Sequence, residues 1–141
     1  MFKKVMLTVD LNEDASWRKA LPAALAMCST EGASLHVLNV APDIGAQVAA
    51  FFPEGANRKL LDDTAARLRK FVADHVPSDV PVQDIVAQGS VHHEILAAAE
   101  RIGADLIVMG APQPGVRDIL LGATAAHVVR HARRSVLVVR D

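Results

Sequence analysis

The chain has 141 residues, and its 15 Lys and Arg nearly balance its 16 Asp and Glu. This length fits one domain over residues 1–141, able to bury roughly 68–70% of its unfolded surface. A hydrophobic content of 51% and a net charge of −1 exclude intrinsic disorder. They also argue against a general nucleic-acid surface, which needs an excess of Lys and Arg. Aromatic residues make up only 4%, so we expect a core of Ala, Val, Leu and Ile.

The N-terminal residues and the cysteine content indicate the compartment. The apolar run of residues 5–9 is too short for the apolar region of a signal peptide, and no window approaches the ~20 apolar residues of a membrane span. We therefore expect a cytoplasmic protein without membrane insertion. The one cysteine, Cys28, excludes an internal disulfide and a zinc cluster of the CxxC kind, and its apolar helical surroundings favour a core residue over a reactive thiol.

Strand and helix patterns alternate along the chain. Short β-branched or wholly apolar runs predict five strands, at residues 5–9, 34–41, 82–87, 106–109 and 135–140. Apolar residues at helical spacing predict four helices, the first with Trp17 and Cys28 on one face and an end at Gly32, the others at residues 57–75, 91–102 and 122–132.

Residues 42–56 form the longest irregular segment of this prediction. The segment contains two Gly, two Pro and the pair Phe51-Phe52. It is either a mobile loop or lid, or a surface connection whose Phe pair caps a helix.

The order βαβαβαβαβ predicts an α/β fold. Because crossovers between parallel strands are right-handed, this order gives one doubly wound parallel sheet with helices on both faces, and we expect the strand order 3-2-1-4-5. In such a sheet, ligands bind outside the carboxyl ends of the strands at the switch point.

Two places at that end of the sheet carry candidate binding residues. Asp10 follows the first strand and is placed to accept hydrogen bonds from ribose hydroxyls, or else to cap the first helix. The loop of residues 110–115 follows the fourth strand, and Gly122, Ala123 and Thr124 open the last helix, whose N-terminal amides could hold a phosphate. Plain turn formation by the glycines is the alternative. Between residues 117 and 140 there are five Arg and one acidic residue, so a basic quarter lies next to this loop. The alternative is that Arg133-Arg134 form a solvated turn before the last strand.

Catalytic patterns do not emerge from the sequence. None of the six His pairs with a Cys or Ser at a recognised spacing, and no Gly-Lys-Ser/Thr of a Walker motif occurs. His127 and His131 have the i, i+4 spacing of metal ligands, but without carboxylates or Cys at useful spacing we favour surface histidines and expect no metal site. We expect a binding protein and not an enzyme.

The chain resembles the universal stress proteins over essentially all of its length. The resemblance rests on Leu7–Asp10, Leu38–Val40, Gly89-Ser-Val, Ala104–Gly110, Leu120–Ala132 and Ser135–Arg140. ATP-binding members carry Gly-x2-Gly-x9-Gly-Ser/Thr after the fourth strand. Here Gly110 matches the first Gly, Gly122 matches the last, and Gly115 matches an additional Gly often found seven residues before the last.

The chain departs from that motif in one interval and at two positions. The interval is one residue shorter, Gln113 stands at the second Gly, and the hydroxyl position holds Ala123, with Thr124 one place later. The short loop is similar to that of the F/G-type members, several of which bind ATP despite an irregular motif. A missing hydroxyl removes one hydrogen bond worth about 0.5–1.5 kcal/mol from a site built mainly of backbone amides.

The resemblance implies a stress-response module that binds ATP, alone or with Mg²⁺, and acts through a nucleotide-dependent dimer or partner. It implies a homodimer through residues 135–140, an apolar strand at a sheet edge. The alternatives are a nucleotide-independent dimeric interaction protein and, with least support, slow ATP hydrolysis. The implied site residues are Thr8, Val40 and Met109 around adenine, Asp10 near ribose, and Gly110, Gly115, Gly122, Ala123 and Thr124 around the phosphates.

Overall fold

A computed structural model of the chain describes residues 1–111 and 122–141. Its strands are β1 (Lys4–Thr8), β2 (Ser34–Ala41), β3 (Val82–Gln88), β4 (Leu106–Ala111) and β5 (Ser135–Arg140). The helices of the described residues are α1 (Ala20–Glu31), α2 (Ala46–Ala49), α3 (Ala56–His75), α4 (Val91–Ile102) and α5 (Ala123–His131).

The five strands form one parallel sheet in the order β3-β2-β1-β4-β5. This confirms the predicted doubly wound α/β fold. Because side chains alternate between the two faces of a strand, β1 sends Val5 and Leu7 into one core and Met6 into the other. The first core holds side chains of α1 and α3, and the second holds those of α4 and α5, so helices cover both faces.

The first helix begins later than the sequence pattern predicts. Trp17 was expected on its apolar face, but α1 starts only at Ala20, after a 3₁₀ turn at Asp14–Ser16. The hydroxyl of Ser16 explains the delay. It accepts from the Asp10 amide (2.8 Å), and its single proton lies within reach of two carbonyl oxygens, those of Glu13 (2.8 Å) and Asp10 (3.1 Å), which holds the chain in a turn.

The segment 42–56 contains a short helix that the sequence did not predict. Its ends are held together by Gln88, whose side-chain amide donates to the Pro42 carbonyl at 3.0 Å and to the side chain of Asn57 at 2.7 Å. Phe51 is 90% exposed and Phe52 is 48% exposed, so neither ring packs into a core.

At the amino ends of the strands, Asp105 ties β1 to β4. Its carboxylate accepts hydrogen bonds from the backbone amides of Lys3 (2.9 Å) and Lys4 (3.1 Å), and its own amide donates to the Lys4 carbonyl at 3.0 Å. The loops that follow β1, β2 and β4 lie at the opposite, carboxyl ends of the strands. In the described residues, no helix has the length and apolar character needed to cross a membrane.

Candidate functional site

A cavity of about 600 Å³ opens at the carboxyl ends of β1, β2 and β4. Its volume lies within the range of roughly 300–1,000 Å³ typical of small-molecule sites. Eight of the nine residues expected at a nucleotide site line it, whereas Gly115 lies outside the described part of the chain. The eight are Thr8, Asp10, Val40, Met109, Gly110, Gly122, Ala123 and Thr124.

The first turn of α5 forms one wall of this cavity. Gly122 precedes the helix, and no side chain caps it. The first hydrogen bond within the helix runs from the Ala126 amide to the Gly122 carbonyl at 2.9 Å. The amides of Ala123, Thr124 and Ala125 therefore have no partner inside the helix, and together with the helix dipole they favour an anion at this wall.

The loop after β1 also lines this cavity. Asp10 is exposed, and its Oδ1 accepts a hydrogen bond from the Asn12 amide at 3.0 Å. Asp10 therefore closes a local turn, while α1 has Lys19 at its N-cap, so Asp10 does not cap the first helix as the alternative interpretation had it. The second carboxylate oxygen makes no hydrogen bond within residues 1–111 and 122–141 and is open to a ligand.

Gly110 is a glycine for a reason that the sequence did not indicate. It was expected to start a loop, but it lies inside β4 and is not among the glycines with positive φ. A Cβ at this position would lie 2.8 Å from the carbonyl carbon of Ser16 and 3.0 Å from the carbonyl oxygen of Ala15. The turn after β1 thus packs directly on the Gly110 backbone.

Several lining residues were missed by the sequence analysis. Most come from the loop after β1 or from α4, and only the fold brings them to the cavity. A signal existed for Val91 alone, because Gly89 and Ser90 mark the loop before α4. The missed residues include Asn12, Glu13, Ala15, Ser16, Asn39, Val91 and Ile95.

Cations are concentrated near α5, but part of that charge is already neutralised. Arg134 forms an ion pair of 3.1 Å with Glu100 of α4. Arg117 and Asp118, which belong to the basic quarter seen in the sequence, lie outside the described residues.

Three histidine rings stand in a row between α4 and α5. The ring centroids of His92 and His127 are 3.9 Å apart, and those of His127 and His131 are 4.2 Å apart. Loss of hydration, followed by the charges of His92 and His131, lowers the pKa of His127. Within the described residues, no group of three or more His, Cys, Asp or Glu is arranged to hold a metal ion.

The fold and cavity define a doubly wound α/β protein with a small-molecule pocket at the switch point of its sheet. A profile of the universal stress protein family matches residues 1–140, and the chain belongs to this family. It is 32% identical to universal stress protein G of Shigella flexneri over 99% of this chain and 100% of the relative.

Solved structures share the fold. The structure of protein MJ0577, which is from Methanocaldococcus jannaschii, matches with a TM-score of 0.81 and 26% identity, covering 100% of this chain and 97% of that one. A universal stress protein solved in complex with cAMP matches with a TM-score of 0.61 and 21% identity, covering 99% of this chain and 97% of that one.

Proposed function

We propose that the cavity at the switch point binds an adenine nucleotide, ATP in the first place, and that the protein is a cytoplasmic stress-response module acting through nucleotide-dependent contacts. One observation carries the proposal. Asp10, one of whose carboxylate oxygens makes no hydrogen bond within the described residues, lines the same cavity as Ala123 and Thr124, whose amides have no partner inside α5, and the remaining lining includes apolar side chains. An anion-binding wall, a hydrogen-bond acceptor and an apolar floor suit the three parts of a nucleotide.

The proposed arrangement assigns each part of the ligand to one wall. Adenine lies among Thr8, Val40 and Met109, and the ribose hydroxyls donate to Asp10. With few aromatic residues in the chain, the base is held between aliphatic side chains.

The phosphates lie along the start of α5, which binds them with backbone amides. The cavity residues proposed to face them are Gly110, Gly122, Ala123 and Thr124, and Gly115 is assigned to the phosphates from the family motif alone. If Mg²⁺ is bound together with ATP, it would neutralise phosphate charge. Thr124 lines the cavity, and its hydroxyl would offer the ion an oxygen ligand.

Titration of the purified protein with ATP tests this proposal, and cAMP serves as a second ligand because a protein of this fold has been solved with it. Gly122→Val should abolish ATP binding, since a branched side chain crowds the phosphates. Gly122 has φ −57°, so valine adds bulk there without backbone strain. Ala126→Val, on the exposed side of the same helix, is the matched control and should bind normally. Absence of binding at millimolar ATP would refute the proposal.

A gain of affinity gives a second, independent test. Ala123→Ser restores the hydroxyl that the ATP-binding motif has at this position. We expect about two- to tenfold tighter ATP binding, because a hydrogen bond of this kind contributes about 0.5–1.5 kcal/mol. Ala126→Ser should leave the affinity unchanged.

We further propose a homodimer formed through β5. This strand stands at one end of the sheet order, and its four central residues are only half buried. An edge strand of this composition favours pairing with another strand. Sedimentation should give twice the mass of one chain. Val138→Lys should shift the protein to monomer, whereas Val129→Lys, at an exposed position of α5, should not.

A nucleotide-independent dimeric interaction protein is the second candidate. The departures at Gln113 and Ala123 favour it, because they remove two features of the ATP-binding motif. Nucleotide released on denaturing freshly purified protein would count against this candidate. We do not propose turnover of ATP. Phosphate release that persists in Asp10→Asn and Gly122→Val would come from a contaminant, whereas release that both substitutions abolish would establish hydrolysis.

A further inference from the structure

The row of histidine rings lies on α4 and α5, two helices that also contribute residues to the proposed nucleotide site. Val91 and Thr124 both line the cavity. His92 follows Val91 directly, and His127 comes three residues after Thr124, so it lies on the same face of α5. The rings of His92 and His127, tilted by 38° with their centroids 3.9 Å apart, therefore bridge α4 and α5 one and three residues after residues that line the cavity.

Both of these rings lie near helix N-termini. Side chains on a helix lean toward its N-terminus, so the ring of His127 lies over the first turn of α5. His92 belongs to the first turn of α4, and its Nε2 lies 3.5 Å from the Ser90 hydroxyl. The positive end of a helix dipole disfavours a cationic ring, and a bound anion offsets that effect.

Besides loss of hydration, the side chains that lower the pKa of His127 are basic residues of α4 and α5. His92 and His93 face it from α4, and Arg130 and His131 from α5, and all four add to the desolvation that lowers its pKa. The strand β5 also packs on α5 and carries Arg140 at its end.

The nearby carboxylates are directed elsewhere. Arg134 is already paired with Glu100. Glu94 of α4 lies against Gly89, where its Oε1 is 3.0 Å from the position that a Cβ would occupy. Among the residues that the structure describes, these two carboxylates of α4 therefore do not pair with the row of rings.

We propose that His92, His127 and His131 form a proton-sensitive element of the nucleotide site, which takes up protons when phosphate binds and so binds ATP more tightly as the pH falls. This inference rests on the proposed function. Coupling of two binding equilibria is reciprocal, so an anion that stabilises the protonated rings is itself bound more tightly by the protonated form. Acidification of the cell would then increase the fraction of the protein that has nucleotide bound, even at constant ATP concentration.

The experiment compares ATP affinity at pH 7.5 and pH 5.5 in the wild type and in His127→Asn. We expect roughly threefold or more tighter binding at pH 5.5 in the wild type and a clearly smaller ratio in the variant, which loses the central ring of the row. Protonation of ATP itself is common to both proteins and cancels in the comparison. His75→Asn, which replaces a histidine of α3 that stacks on Phe71, is the control and should keep the wild-type ratio.

The outcomes separate this inference from the proposed function. If ATP binds but His127→Asn keeps the wild-type pH dependence, the inference is overturned and the nucleotide site stands. If ATP binds at neither pH, both are overturned. Should the variant fail to fold, imidazole NMR titration of the wild type decides. Inorganic triphosphate must raise the titration midpoint of the His127 ring, and an unchanged midpoint contradicts the inference.

Discussion

The Ser16 carbonyl packs against the α-carbon of Gly110 with no space for a side chain between them. A Cβ on Gly110 would overlap the carbonyl oxygen and lie 2.8 Å from the carbonyl carbon. The Ser16 hydroxyl also holds the loop after β1 in a turn through hydrogen bonds with the backbone of that loop. One glycine in β4 therefore sets the position of the loop that carries Asp10.

Gly110→Ala should destabilise the protein by about 1–3 kcal/mol, the usual effect of overpacking, and displace this loop. The measurements are urea unfolding and the emission of Trp17, which is the only tryptophan of the chain and follows Ser16. Gly32→Ala is the control. Gly32 has φ 66° with open space around it, so alanine there costs about 1–2 kcal/mol of backbone strain without moving Trp17. Wild-type stability and emission in Gly110→Ala would contradict the packing argument.

A second prediction concerns Asp141, which joins the end of β5 to the segment before α1. Its amide donates to the Ala111 carbonyl at 3.1 Å, and its carboxylate binds Arg18 through two contacts, one of 3.1 Å from Nε. The hydrogen bond from this guanidinium and the charge of Asp141 raise the pKa of Arg18.

Arg18→Met should accelerate hydrogen exchange of the Asp141 amide with little effect on global stability, because the Arg18 side chain is 59% exposed. Lys70→Met removes an exposed ion pair on α3 and should leave that amide unchanged. Equal exchange rates in wild type and Arg18→Met would show that the ion pair does not hold Asp141 in place.

The third prediction follows from His36, a buried histidine of β2 that is 6% exposed. Its Nε2 lies 3.3 Å from the Ser34 hydroxyl, while its Nδ1 has no hydrogen-bond partner in the described residues. Burial and then the charge of Lys4 lower the pKa of His36. In the unfolded chain, histidine titrates near pH 6.5.

As the pH falls through about 6.5, the unfolded chain therefore gains a proton that native His36 resists, and the free energy of unfolding decreases. His36→Met should flatten this loss between pH 7.5 and pH 5. Any packing change caused by methionine shifts stability equally at every pH, so the slope is the diagnostic quantity. A slope identical to that of the wild type would rule His36 out as its source.

The fourth prediction concerns Cys28, which the sequence pattern predicts as a core residue and which is 3% exposed in α1. Burial raises the pKa of its thiol, so the reactive thiolate is scarce and inaccessible. Alkylation followed by mass spectrometry should be slower in the native protein than in 8 M urea by more than about 100-fold. Similar rates in the two conditions would mean that α1 opens readily.

Strands and long helices could be predicted because their patterns are local. The apolar runs predicted the observed bounds of β2 and β5. The helical spacing of apolar residues predicted the observed bounds of α4. The start of α1 was wrong because the Ser16 side chain competes with the helix for backbone groups. The helix α2 was missed because four residues are too few to carry a period.

The candidate site was predicted only in part, for a different reason. Asp10 is recognised by its position after a strand, whereas Thr8 and Val40 are implied only by the resemblance to the universal stress proteins. Asn39 and Ile95 reach the cavity through contacts between elements far apart in sequence, which no local pattern records. The role of Gly110 likewise depends on a loop almost a hundred residues earlier.

The pairing of β1 with β4 has a consequence for how the molecule assembles. Val5 pairs with Leu106, and the carboxylate of Asp105 holds the amides of Lys3 and Lys4, so the centre of the sheet closes a loop of about 100 residues. Such long-range parallel contacts form slowly, because closing the loop costs chain entropy before the contacts form and offset that cost. The pocket between β1 and β4 can therefore exist only after nearly the whole chain has been synthesised. A ribosome-bound fragment that ends before β4 has no such site for a ligand to stabilise.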